Sequence, residues 1–308
     1  MSVAKALLFG AGQGARHFLT NNEFAYEYIG IIDNDAKKCG TEVESLKVYS
    51  PKHIHSLDFD FIIITTQWGR DVASQLVNEE GVAKEQVILP EKNQLKPSKP
   101  FYCEKTRTLA GKIIKKISAL AMKHNVHLVV DFGTLLGLVR DGDVIEWDDD
   151  VDISALAEDA LDVERLLQQF VSEWTENEPK FYLEKIVNKQ DVVTGFLLKF
   201  REENGAFEKF NTSVCLRKEI KGISKHLPSL GMFYSPAKHF QSFQTIDWQE
   251  QKIPVPYEYE DYLDYVYGNW KTPKKNIQLT DYEHLNDVTF EDFQNASLKT
   301  EAIGKHSD

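Results

Sequence analysis

Four aspartates in five positions, Asp148-Asp149-Asp150-Val151-Asp152, lie between Trp147 and Ile153, and they restrict the fold more than any other stretch. In an extended chain the side chains alternate, so Asp148, Asp150 and Asp152 share one face while Val151 and Ile153 take the other. Three carboxylates on one face repel one another unless a cation lies among them. Oxygen donors of high charge density suit Mg²⁺ or Mn²⁺, ions that keep part of their water and hold substrate phosphates. An acidic run is usually a solvated loop, but the interleaved Val151 and Ile153 are what a half-buried strand requires. Asp148, Asp150 and Asp152 are the expected metal ligands.

Upstream, the apolar run Leu128-Val129-Val130 leads into Gly133-Thr134, and an apolar turn of Leu135, Leu136, Leu138 and Val139 ends at Arg140 before Gly142 breaks the pattern. A Gly-Thr pair opening a helix offers backbone N–H groups and a hydroxyl to a phosphate. A Gly-[Ser/Thr] turn followed by an Asp-x-Asp strand resembles the DNA polymerase β-like nucleotidyltransferase superfamily. More narrowly, Gly133-Thr134-Leu135-Leu136-Gly137, Arg140 and Trp147-Asp148-Asp149-Asp150-Val151-Asp152 resemble the LicD/fukutin family. A second match comprises Ile253-Pro254-Val255-Pro256, Tyr262-Leu263 and Tyr267-Gly268-Asn269-Trp270-Lys271-Thr272-Pro273, so the likeness covers roughly residues 104 to 277. Glu146 stands where the family has Pro, and the stretch Phe196 to Val214 lacks the Asp of its middle strand.

The resemblance implies an α+β nucleotidyltransferase-like catalytic domain. It also implies metal-dependent transfer of a phospho-alcohol, such as phosphocholine or ribitol phosphate, from a CDP-linked donor to a glycan or lipid-linked glycan hydroxyl, with release of CMP, in cell-surface polysaccharide modification such as capsule synthesis. On that reading Asp150 and Asp152 are catalytic, one of them taking the hydroxyl proton. Gly133, Thr134, Arg140, Trp147, Tyr267, Trp270 and Lys271 bind substrate, and Glu202, Glu203 or Glu208 supplies a further metal-facing acid. Trp147, Trp248, Tyr267 and Trp270 are candidates for an aromatic cage around a quaternary ammonium; a polyol would need hydrogen-bonding groups instead, and is preferred. Nucleotidyl transfer releasing pyrophosphate, and a non-catalytic nucleotide-binding protein, are the alternatives.

The first hundred residues carry a different pattern. Apolar runs at 4–9, 28–32, 59–66 and 86–89 read as about four strands, with Gly10-Ala11-Gly12-Gln13-Gly14 after the first and Asp33 closing the second. Continuous β-branched runs such as Ile62-Ile63-Ile64 suit a parallel sheet covered on both faces. This is the opening β-α-β of an α/β Rossmann-like domain, with Gly10, Gly12 and Asp33 as its nucleotide or sugar-nucleotide site. The alternative is a structural or dimerising domain, possessing the same glycines only to make a tight turn, and with it a homo-oligomer. Pro90, Pro97 and Pro100 among lysines mark a linker. The expected domains are therefore 1–96, 101–285 and a C-terminal tail at 286–308.

Within the second domain, residues 105–123 read as an amphipathic helix with Lys112, Lys115, Lys116 and Lys123 on its polar face. That face is either solvated or a peripheral contact with an anionic membrane. Strands are expected at 180–187 and 194–201, and a helix carrying Tyr259, Tyr262, Leu263, Val266 and Tyr267 ends at Gly268. The net charge of -12 argues against nucleic acid as a partner. No apolar run approaches membrane-spanning length, the opening residues do not resemble a signal peptide, and Cys39, Cys103 and Cys215 are scattered. A cytoplasmic setting with reduced thiols is the expectation.

Overall fold

The computed structural model describes residues 3–22, 25–66, 68–90, 94–95, 99–175, 179–201, 205–275, 282 and 284–304. The chain divides into two units, Met1–Pro97 and Ser98–Asp308, each with its own apolar core.

In the first unit the elements are β1 (Lys5–Phe9), α1 (Gln13–Asn21), β2 (Glu27–Ile32), β3 (Glu42–Val43), β4 (Leu46–Tyr49), β5 (Phe61–Ile64), α2 (Gly69–Asn78) and β6 (Val87–Ile88). Strands β4, β2, β1, β5 and β6 run parallel in that order, a Rossmann-like sheet. Ala6, Leu7, Leu8, Ile31, Ile32, Ile62 and Ile63 are wholly buried, as strands covered on both faces require. The sheet has one parallel strand more than the apolar runs predict. Strand β4 is four residues long and enters through a hairpin with β3. Its turn residues Glu44 and Ser45 have φ of 48° and 64° without the Gly or Asn that normally announces such a turn.

The second unit contains α3 (Glu104–His124), β7 (Leu128–Val130), α4 (Phe132–Arg140), β8 (Asp150–Leu156), α5 (Ala160–Ser172), β9 (Lys180–Val187), β10 (Val193–Arg201), β11 (Asn211–Ile220), β12 (Ile223–His226), β13 (Tyr234–Pro236), α6 (Lys238–Gln241), β14 (Phe243–Trp248), β15 (Gln251–Pro256), α7 (Tyr259–Tyr267), α8 (Phe290–Ala296) and β16 (Lys299–Ile303). Its mixed sheet runs β13-β12-β11-β10-β9-β16. Strand β8 lies parallel against β11, and β7 antiparallel against β8. Helix α3 turns Leu109, Ile113, Ile114 and Ile117 into the core. Its lysines are partly absorbed by the fold, since Lys115 donates to Gln249 at 3.0 Å and Lys116 to the Glu173 carbonyl at 2.9 Å.

The residues expected to form a tail behave otherwise. Helix α8 opens with a reciprocal cap between Thr289 and Asp292, and β16 pairs antiparallel with β9 along Lys299–Ile303. An edge strand exposes much of its surface, so its polar composition imitates that of a frayed end. Residues 305–308 lie outside the described residues.

Candidate active site

The site is built where β7 passes into α4 beside β8. Asp131 follows β7 as the N-cap of α4, its Oδ1 accepting from the Phe132 N–H at 2.8 Å. Phe132 takes φ of 43°, a left-handed conformation that a bulky side chain rarely adopts. This bend turns the first helical turn onto β8. The Asp131 N–H donates to the Asp152 carbonyl at 3.0 Å, and the Asp152 N–H donates to Thr134 Oγ1 at 2.8 Å. Both backbone polar groups of Asp152 are therefore held by the N-cap and first turn of α4.

The carboxylates gather at the N-terminus of α4. Oxygens of Asp148, Asp149 and Asp150 lie within 4.8 Å of one another. Asp148 approaches so closely that a Cβ on Gly133 would collide with its carboxylate. The expected group is Asp148, Asp150 and Asp152; the structure places Asp149, not Asp152, in the cluster with Asp148 and Asp150. The strand begins only at Asp150, so the two-residue alternation does not govern Asp148 and Asp149. Asp152 lies two residues further along β8, with Ser213 donating to its Oδ1 at 2.9 Å. Burial, then the charges of Asp150 and Asp148, push the Asp152 carboxyl well above the usual carboxylate range. An all-oxygen donor set whose members raise one another's affinity for positive charge fits a hard divalent cation.

The neighbouring strand supplies no further acid at this level. Asn211 is in register with Asp150 and Ser213 with Asp152. Glu208 is exposed elsewhere, its N–H bonded to Thr106 at 2.9 Å, while Glu202 and Glu203 lie outside the described residues.

Several expected substrate contacts are committed to the fold. Thr134 is buried and its hydroxyl oxygen receives the Asp152 N–H, because the helix turn must satisfy the strand it packs on. Arg140 forms a two-pronged pair with Asp141 at 2.8 and 2.7 Å and lies 5.9 Å from the Trp147 ring. Trp270 is 6 % exposed and donates to Asp264 at 2.8 Å, and Trp248 is 4 % exposed and donates to the Gly142 carbonyl at 2.8 Å. Both indoles are core residues. Lys271 is exposed over the Trp270 ring at 5.3 Å.

Trp147 and Tyr267 remain at the site. Lys275 Nζ stands 4.8 Å above the Trp147 ring. Tyr267 packs on Tyr282 with ring centroids 5.5 Å apart. Burial pushes the Tyr282 phenol up, a hydrogen bond with Tyr267 opposes this, and Asp152, Asp148 and Asp150 push it further. Tyr282, Ser213 and Lys275 carried no motif by which the sequence could have marked them. Asp131 did, as an N-cap residue in front of an apolar helical turn.

In the first unit, Gly10 adopts φ of +112°, and a Cβ there would press on Thr66 at 3.0 Å. A Cβ on Gly12 would meet nothing within 4 Å, so packing does not require that glycine. Asp33 is 5 % exposed, its Oδ2 accepting from Ala11 N–H at 2.7 Å and Lys38 at 3.0 Å and its Oδ1 from Asp35 N–H at 2.8 Å. The carboxylate anchors the glycine turn to the end of β2.

Residues 125–258 match the family described as LicD/FKTN/FKRP, nucleotidyltransferase domain. The chain carries a LicD-family domain. Ahead of it, residues 2–88 match the family described as C2185-like, N-terminal. Two curated relatives are the uncharacterized proteins RP689 of Rickettsia prowazekii, 38% identical over 58 residues, and RT0683 of Rickettsia typhi, 36% identical over 67 residues. The chain spans about a fifth of the length of each, 22%, and the matches cover 19% and 22% of this chain. Among solved structures, ANT(2")-Ia in complex with adenylyl-2"-tobramycin is 17% identical, with 51% of this chain and 77% of that chain covered and a TM-score of 0.29. UDP-D-quinovosamine 4-dehydrogenase from Vibrio fischeri is 24% identical, with coverage of 28% and 75% and a TM-score of 0.23. The LicD domain begins just before β7 and ends before α7, so Tyr262, Tyr267 and Trp270 lie beyond the matched segment.

Proposed function

We propose that the LicD domain transfers a phospho-alcohol from a CDP-linked donor to a glycan hydroxyl and releases CMP. The observation that carries this reading is the meeting of Asp148, Asp149 and Asp150 at the N-terminus of α4, with a glycine at position 133, where a Cβ would collide with the Asp148 carboxylate. Asp148, Asp149 and Asp150, with Asp152 alongside, would hold Mg²⁺ or Mn²⁺, which would supply Lewis-acid neutralisation of the donor's phosphate charge. The protein's own part is positioning and electrostatics. The first turn of α4 presents backbone N–H groups, Lys275 places a cation beside Trp147, and Asp150 or Asp152 receives the proton of the attacking hydroxyl. A fold related to DNA polymerase β-type nucleotidyltransferases accords with the β7-α4-β8 arrangement.

The carried alcohol in this reading is a polyol or another small alcohol, since Trp248 and Trp270 are enclosed in the core rather than disposed as a cage. Phosphocholine is the second reading. It is favoured by a run of half-buried rings beside the acids, Phe132–Phe233 at 5.4 Å, Phe233–Tyr282 at 5.2 Å and Tyr282–Tyr267 at 5.5 Å. The test is incubation of the purified chain and Mg²⁺ with CDP-glycerol, CDP-ribitol, CDP-choline, CDP-ethanolamine or CTP and a glycan acceptor. CMP release, abolished by EDTA, is expected. Pyrophosphate from CTP without CMP from any CDP-alcohol would assign nucleotidyl transfer instead.

A further inference from the structure

We infer that Tyr262 is a positioning residue for the metal-binding strand, acting through Asp131 on Asp152. The inference rests on the reading of the carboxylates as a metal site. Tyr262 lies on α7, 131 residues from its partner, and is fully buried. Its hydroxyl donates to Asp131 Oδ1 at 2.5 Å. Asp131 is 0% exposed and receives four further hydrogen bonds. These come from Phe132 N–H at 2.8 Å, from Ser154 Oγ at 2.5 Å, and from Arg217 Nε at 3.1 Å and Nη2 at 2.7 Å. Arg217 Nη2 also donates to the Tyr262 hydroxyl at 3.1 Å. Three elements that meet only in the folded chain, β8, β11 and α7, thus converge on one carboxylate.

That carboxylate controls the geometry of Asp152. The backbone N–H of Asp131 holds the Asp152 carbonyl, and Thr134, one turn on, holds its N–H. Between them stands Phe132 in its left-handed conformation, which persists only where the surroundings over-determine it. Strand β11 reinforces the arrangement from the other side, with Ser213 on the Asp152 carboxylate and Arg217 on Asp131. A buried ion pair of this kind often adds little net stability. What it does here is fix the direction of the α4 turn, and with it the orientation of Asp152 toward Asp148 and Asp150. Tyr262 makes the C-terminal helix part of that constraint.

The test is calorimetric titration of Mn²⁺ into the full chain, comparing wild type with Tyr262→Phe, Ser154→Ala and the double variant. Each single change removes one hydroxyl from a different oxygen of Asp131. Circular dichroism and the urea midpoint show whether the fold persists. The expected result is folded variants whose Mn²⁺ affinity falls at least fivefold in each single variant. The double variant should lose less than the product of the two, because both act through one carboxylate. With donor present, kcat should fall while KM stays within about twofold. If either folded single variant keeps wild-type Mn²⁺ affinity, or the two losses multiply independently, the inference is overturned and the network is packing alone. A wild type that binds no Mn²⁺ overturns it as well. A wild type that binds Mn²⁺ but releases no CMP defeats the proposed transfer while leaving the affinity comparison decisive.

Discussion

The Asp148 carboxylate occupies the space that a side chain on Gly133 would need. Gly133 does not have a positive φ, so backbone freedom is not its purpose. Its missing Cβ lets an acid from a loop 15 residues downstream rest on the first turn of a helix, where exposed N–H dipoles favour negative charge. Gly133→Ala is therefore expected to leave the fold intact, since Ala is the better helix former by about 1 kcal/mol. Displacement of Asp148 should lower the transfer rate on the order of 100-fold, as about 1 Å of misplacement does elsewhere. Comparing kcat with the thermal midpoint checks both halves.

Asp150→Asn should have opposite effects on activity and on metal-free stability. Transfer should fall by several orders of magnitude, the usual consequence of disabling a catalytic ion site. Without metal, removing one of the charges that push up the Asp152 carboxyl should raise the unfolding midpoint. An unchanged or lowered midpoint in EDTA would show that the acids do not strain one another.

His226 makes stability pH-dependent. It is buried, lies 2.9 Å from Ser229 Oγ through Nδ1, and burial, then the Arg217 charge, push it down to about 3. The unfolded chain binds a proton here below its ordinary value of 6.5 and the folded chain does not. This contribution is therefore fully present above pH 6.5 and is lost as pH falls toward about 3. It amounts to as much as about 1.4 kcal/mol per pH unit. Asp152 has the opposite sign, favouring the folded state as pH falls through its raised value. Urea unfolding at pH 7.5 and 5 should accordingly show a smaller loss for His226→Gln than for wild type.

Trp270→Leu should behave as a core mutation. Loss of a buried indole and its bond to Asp264 is expected to cost about 3 kcal/mol. The KM for the donor in the folded fraction should stay within twofold. A large rise in KM at unchanged stability would return Trp270 to the substrate surface.

The two-part organisation, the parallel character of the first sheet, helix α3, the strands expected at 180–187 and 194–201, and the α7–Gly268 ending were all legible in residue order, because each rests on local periodicity or local punctuation. So was the place of the acids. Strand β4, strands β11 to β15 and the edge strand β16 were not, since short or polar strands take their identity from the neighbour they pair with. The division of labour within the site was equally hidden. Gly-Thr, Arg and Trp look the same in sequence whether they face a phosphate or the core. Only the folded chain shows Thr134 spent on Asp152, Arg140 on Asp141 and Trp270 on Asp264. By itself the sequence determined where negative charge accumulates and which helix precedes it. The tertiary structure decided which groups hold that charge in place, because Arg217 and Tyr262 reach Asp131 across 86 and 131 residues and no local pattern encodes such a meeting.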